Sequence, residues 1–204
     1  MKIYGRGKSR SFRCIWAAEE AGINYEYIEV KFGSEGTNTE TYRQLNFQGK
    51  VPTMVDDDLV LNESGAIVNY IATKAPAAGL IPIENTKLRA QYDQLAFFVL
   101  SDLEQPLWTS GKHRFVIPKE YRVPEVLETT KWEFNKSQKA LVNLIGERPT
   151  FALGDHFSMA DVLIAHTLAW AERFEFELFD GLKEYKDRMH TRQACLDVLA
   201  KIGS

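Results

Sequence analysis

The stretch Gly49-Lys50-Val51-Pro52-Thr53-Met54-Val55-Asp56-Asp57-Asp58, GKVPTMVDDD, sets a proline at the head of a β-strand pattern. Pro52 has no backbone N–H and cannot donate to a ladder, which confines it to an edge, a strand start or a bulge. Either the chain merely turns there, or the main chain beside the proline is kept open for another partner. The segments on each side narrow the choice.

Downstream, PTMV and LVL flank the acidic turn Asp56-Asp57-Asp58 and predict a β-hairpin. ESGAIVNYIATKA follows as an amphipathic helix, with Ile67, Tyr70 and Ile71 at helical spacing. Upstream, MKIYG predicts a strand, and SRSFRCIWAAEEAG a helix with serines at its start and Gly22 where a C-cap belongs. YEYIEV predicts a second strand and Thr39 to Leu45 a short helix. The order β-α-β-α-β-β-α describes a sheet covered by helices within residues 1–77. PAAGLIPIEN has the composition of a linker, placed at 78–86, and residues 87–204 carry an all-helical pattern. Leu88, Tyr92, Leu95, Val99 and Leu103 keep helical spacing until Pro106 must kink or end the element. KHRFVIPKEYRVP reads as a loop, and a further helix runs from about Glu125 to Ile145. In GDHFSMADV, Ser158 and Asp161 stand at capping-box spacing, with Phe157 and Val162 placed as a hydrophobic staple.

The 204 residues suffice for a substantial core, and 45% hydrophobic with 26% charged residues is ordinary for a globular chain. A net charge of −3 provides no basic field for nucleic acid. MKIYGRGKSR lacks the apolar core of a signal peptide, and no apolar run reaches membrane-spanning length. Cys14 and Cys195 form no CxxC or metal-type spacing, and the four histidines are scattered. No metal is expected, and the expected setting is a reducing cytoplasm without membrane attachment.

Four segments in order, SRSFRCIWAAEEAG, GKVPTMVDDD, NESGAI and GDHFSMADVLIAHTLAW, make the chain resemble the cytosolic glutathione S-transferases, bacterial-type with a serine-like site. The resemblance implies an α/β thioredoxin-like N-terminal domain, an all-α C-terminal domain and a homodimer. It implies that Pro52 is cis and that Val51 turns its N–H and C=O toward glutathione, which pairs with them as an added strand would. Glu63 then accepts from the γ-glutamyl ammonium. Ser64, at a helix N-terminus, donates to the adjoining carboxylate. Lys50 is placed for the glycyl carboxylate, with Gln48 a weaker candidate.

The reactive sulfur must be a thiolate. An ordinary thiol has a pKa of about 8.5, and lowering it by two units takes about 2.7 kcal/mol of preferential anion stabilisation. A hydroxyl at the start of the first helix supplies part of that. Ser9 falls where serine-type relatives keep this hydroxyl, Ser11 is the alternative, and Arg10 could add direct charge attraction. Either serine could instead be only a helix N-cap. Tyr4 lies within the first strand and reads as packing, and Cys14 as a small buried hydrophobe. KSRSF lacks the Ser-Ser-Cys run of the isomerase-like branch. Glu104, Trp108 and Phe115 are the candidates for a wall against a hydrophobic electrophile.

The function expected is therefore conjugation of glutathione, a co-substrate, to an electrophile in detoxification. Glutathione-dependent peroxidase or reductase chemistry is the alternative on the same site. A non-catalytic binding or regulatory module is the alternative of another class.

Overall fold

The computed structural model describes residues 1–83, 85–147 and 149–203. They form two compact units, one of residues 1–85 with 190–204 and the other of residues 86–189. Segment 190–203 thus belongs with the first unit, whereas the sequence pattern groups it with the helical one.

The first unit holds strands β1 (Lys2–Gly5), β2 (Glu26–Glu29), β3 (Thr53–Asp56) and β4 (Leu59–Asn62) in the order β2-β1-β3-β4. β1 and β2 are parallel, joined through helix α1 (Ser11–Glu20), and the remaining pairs are antiparallel. The β3–β4 turn is closed by Asp57 and Asp58, with Asp57 in the left-handed region at φ 53°, which Asp tolerates better than most residues. Helix α2 (Glu40–Leu45) is capped by Thr39, whose side chain accepts from the Tyr42 N–H. Helix α3 (Ser64–Lys74) follows β4.

Helix α1 is buried along residues 11–18 because it meets the sheet, α3 and α9 (Gln193–Ile202) on different sides. The α9 segment is fastened by polar ties that flank this apolar contact. Arg192 clasps the Glu20 carboxylate with two bonds of 2.6 and 2.7 Å, and Lys201 reaches Glu19 at 2.7 Å. Gly22 ends α1 in the left-handed conformation, φ 63°, at the predicted stop. Tyr4 packs edge-on against Tyr42, ring centroids 6.1 Å apart, as a packing residue.

The second unit contains α4 (Thr86–Phe98), α5 (Gln105–Gly111), α6 (Val126–Ile145), α7 (Met159–Arg173) and α8 (Asp180–His190). The proline expected to interrupt the first of these does so through a widened turn over Val99–Leu103, after which α5 restarts with Pro106 in its first turn. Pro106 cannot donate to the carbonyl of Asp102, and that carbonyl accepts from the Ser137 hydroxyl at 3.1 Å instead. The segment read as a loop at 112–124 begins with a wide helical turn, Lys112–Val116. Helix α7 has twelve of its fifteen residues buried and forms the axis of the unit. Its Asp161 accepts from the N–H and hydroxyl of Ser158, at 2.8 and 3.0 Å, from Ala152 N–H at 2.8 Å and from Tyr185 at 2.6 Å. The expected cap is therefore also the polar hub of the helical unit. Among the described residues no helix is long and apolar enough to cross a membrane, and no group of three or more His, Cys, Asp or Glu is arranged to hold a metal ion.

Candidate active site

The strand register collects three loops at one end of the sheet. Tyr4 of β1 lies opposite Thr53 of β3, and Thr53 lies opposite Asn62 of β4. The chain leaving β1 (Arg6 to Arg10), the chain entering β3 (Lys50 to Pro52) and the chain leaving β4 (Glu63 and Ser64) therefore emerge side by side. Every sequence candidate in the first unit except Gln48 belongs to one of these loops or to the helix starts they feed.

The Val51–Pro52 bond is cis. Pro52 is buried, Val51 half-buried and Lys50 exposed. Among the described residues, neither the N–H nor the C=O of Val51 has a hydrogen-bond partner within the chain. A half-exposed strand entrance with open main-chain groups offers the pairing that an extended peptide can use.

Glu63 occupies φ 69°, ψ 113°, a region L-residues rarely adopt, and its side chain is exposed. Such backbone persists where its surroundings hold it, at a cost of about 1–3 kcal/mol. Ser64, 4% exposed, opens α3, and its hydroxyl oxygen accepts from Arg13 Nη1 at 3.3 Å. Arg13 lies on α1 and is fully buried. With a lone pair of Ser64 engaged from behind, its hydroxyl proton is available to an anion at the α3 N-terminus. Arg13 was not among the candidates that the sequence offered. Its signal was a guanidinium inside the otherwise apolar run FRCIWAA, since such a charge is buried only where it has partners.

Ser9 and Ser11 form one unit. Their hydroxyl oxygens are 2.6 Å apart, and Ser11 Oγ accepts the Arg6 N–H at 2.9 Å. Ser11 is fully buried beneath the loop, whereas Ser9 is half-exposed. A Cβ at Gly5 would lie 2.7 Å from Ser11 Oγ and 2.9 Å from the Tyr27 ring, so glycine makes room for this pair. Arg10 is half-exposed at the helix start. Cys14 is fully buried, and burial pushes its thiol far above the ordinary range, only partly offset by the neighbouring Arg13. It packs as a small hydrophobe, and its thiol lies near the Ser64 carbonyl at 3.9 Å. Burial also pushes the Cys195 thiol up, to about 12, helped by Glu20.

This arrangement has relatives. A family model described as "Glutathione S-transferase, N-terminal domain" matches residues 1–73. Glutathione S-transferase Z1 of Arabidopsis thaliana is 30% identical over 187 residues, covering 87% of this chain and 80% of the relative. The chain belongs to the glutathione S-transferase family. Maleylacetoacetate isomerase of Rattus norvegicus is 29% identical over 171 residues, covering 81% and 76% of the two chains. Among solved structures, the ternary complex of BphK, a bacterial GST, superposes with a TM-score of 0.88 at 25% identity and full coverage of both chains. The thioredoxin-like sheet and the helical unit are thus the glutathione S-transferase fold.

The electrophile-wall candidates of this glutathione S-transferase occupy three different environments in the helical unit. Glu104 is buried, 4% exposed, Trp108 is half-buried, and Phe115 is 57% exposed. Phe115 packs edge-on against Phe174 at 5.7 Å, and Phe174 against Trp170 at the same distance, an aromatic series that includes a further residue pair the sequence reading did not name. Gln48 is exposed, and its N–H donates to Asn46 Oδ1 at 3.1 Å.

Proposed function

We propose that this protein is a cytoplasmic, homodimeric glutathione transferase that ionises glutathione and joins its sulfur to a hydrophobic electrophile. The observation that carries the reading is the hydroxyl pair Ser9–Ser11, set at the end of β1 beside the open main chain of Val51. The tripeptide lies extended against Val51. Its γ-glutamyl carboxylate is held by the Ser64 hydroxyl and the α3 N-terminus, with buried Arg13 behind, and its ammonium by Glu63. Lys50 faces the glycyl carboxylate.

Ser11 accepts from the Arg6 amide and donates to Ser9, and Ser9 donates to the sulfur. Two linked hydroxyls polarise each other, so Ser9 is a stronger donor than an isolated serine. Stabilising the thiolate lowers the thiol pKa. The thiol proton passes to water, the thiolate attacks an electrophilic carbon, a C–S bond forms, and the leaving group departs with its electron pair. Arg10 adds positive charge to the same loop. Glu104, Trp108 and Phe115 remain the proposed wall for the second substrate.

The relatives named maleylacetoacetate isomerase bring an isomerase reading to the same site, and peroxide or disulfide reduction would share its glutathione half. One experiment sorts them. Glutathione binding is measured by calorimetry, and turnover is assayed on aryl halides, isothiocyanates, epoxides, organic peroxides and cis-enoic diketo acids. Binding with conjugation of at least one halide, isothiocyanate or epoxide is expected. Turnover confined to the diketo acids or the peroxides would replace the transferase assignment, and binding without any turnover would leave a binding module. No glutathione binding at all would remove the reading.

A further inference from the structure

Glutathione binding at Val51 requires a peptide plane held at a fixed angle, and the structure shows what holds it. The Lys50 carbonyl accepts from Tyr42 Oη at 2.7 Å and from Asn46 Nδ2 at 2.9 Å. Both side chains come from α2 and its C-terminal end, and both are buried, 5% and 4% exposed. Donor counting fixes the network. The Asn46 amide has two protons, one for Lys50 O and one for Thr53 Oγ1 at 3.2 Å. The Tyr42 hydroxyl also lies 3.0 Å from Thr53 Oγ1, whose own proton goes to Asn62 Oδ1 at 2.9 Å; the single Tyr42 proton serves its shorter contact, the acceptor-only Lys50 carbonyl at 2.7 Å. Both lone pairs of that carbonyl are then engaged by interior groups.

The Lys50 C=O and the Val51 N–H belong to one planar trans peptide and point in opposite directions. Pinning the carbonyl against Tyr42 and Asn46 therefore aims the Val51 N–H away from the α2 side. A single bond would let the plane rock, whereas two from different side chains fix its tilt. The rest of the network has a structural purpose of its own, since Asn62 Nδ2 reaches Leu45 O at 3.3 Å and ties α2 to β4. Only the two bonds to Lys50 O act on the ligand-facing peptide.

We propose that Tyr42 and Asn46 are positioning residues that orient the Lys50–Val51 peptide for the main chain of bound glutathione. This rests on the reading of Val51 as the tripeptide's docking edge. It predicts that the pair governs affinity for the ligand's backbone and leaves thiol activation untouched.

The test is calorimetric binding of S-methylglutathione, which keeps the peptide groups and has no ionisable thiol, to the full chain and three variants. Tyr42→Phe removes one hydroxyl and keeps the ring that packs on Tyr4. Asn46→Ala removes the second donor. Thr39→Ala removes the α2 cap and destabilises the same helix without touching Lys50 O. Tyr42→Phe and Asn46→Ala are each expected to weaken binding about tenfold, the size of one lost hydrogen bond. Thr39→Ala should bind within about twofold of wild type. The pH midpoint of thiolate absorbance for bound glutathione should not move in Tyr42→Phe. Wild-type affinity in Tyr42→Phe, or an equal loss in Thr39→Ala, would overturn the positioning role while leaving the glutathione reading intact. A wild-type chain that does not bind S-methylglutathione or glutathione would overturn both. Tyr42→Phe decides the matter even if Asn46→Ala is poorly folded.

Discussion

At its entrance, β3 follows Val51, whose own N–H and C=O are open, and lies beside Glu63, held in rare backbone geometry. Five residues after Val51, at the strand's exit, Asp56 is saturated: Tyr70 donates to it at 2.7 Å, Lys74 pairs with it, and the N-terminal ammonium lies 3.7 Å away. Lys74 and Tyr70, by hydrogen bonding, hold the Asp56 carboxyl below the usual carboxylate range. On the proposed function, the same short strand serves ligand recognition at one end and cohesion at the other. Open groups and strain at the entrance are compatible with stability because the exit and the core hold the sheet in place.

Substitutions at the two ends should separate accordingly. The largest effect is expected at Ser9. Ser9→Ala should lower kcat by about 10²-fold, the usual loss for one well-placed donor to a developing anion, with the KM for glutathione and the melting temperature nearly unchanged. Equal turnover in Ser9→Ala would transfer activation to Ser11 or Arg10.

Next comes Glu63→Gly, which relieves the backbone strain and removes the carboxylate together. It should raise stability by about 1 kcal/mol in denaturant titrations while weakening glutathione binding about tenfold. A variant that is less stable would show that the geometry at residue 63 carries no stored cost.

The smallest effect lies at the exit. Asp56→Asn should leave steady-state kinetics unaltered and lower the melting temperature at pH 7 by roughly 3 °C. A carboxyl whose folded pKa is depressed contributes stability above its unfolded value of about 4 and loses it as pH falls through the lower folded value. The gap between wild type and Asp56→Asn should therefore close below about pH 4, as thermal scans across pH will show. A gap that widens in acid would contradict the ion-pair account of this corner.

How much of this was legible in the sequence depends on the range of the signal. Periodicity and punctuation located the strands and helices, because the PTMV and LVL runs, the acidic turn between them and the stop at Gly22 are local properties. Pro52, Glu63-Ser64 and the serine loop pointed to the site through a motif that spans only a few residues each. The sequence could not show that Ser11 is buried under Ser9, since that depends on the space left by Gly5 and Tyr27 across the sheet. Nor could it show Arg13 meeting Ser64, 51 residues away. Tyr42 and Asn46 passed unremarked for the same reason, as an α2 tyrosine and an asparagine near a helix end are ordinary residues until a loop carbonyl is found between them. The wide turn before Pro106 was half legible: proline announced an interruption, but the rescue of Asp102 by Ser137 is a tertiary event.

The clasp of Arg192 on Glu20 has a temporal corollary. During synthesis the ribosome releases the thioredoxin-like half first, yet one side of its central helix stays bare until residues 190–203 arrive more than a hundred positions later. The earlier-made half must therefore wait for the later-made segment, and the helical half is fully synthesised in the interval.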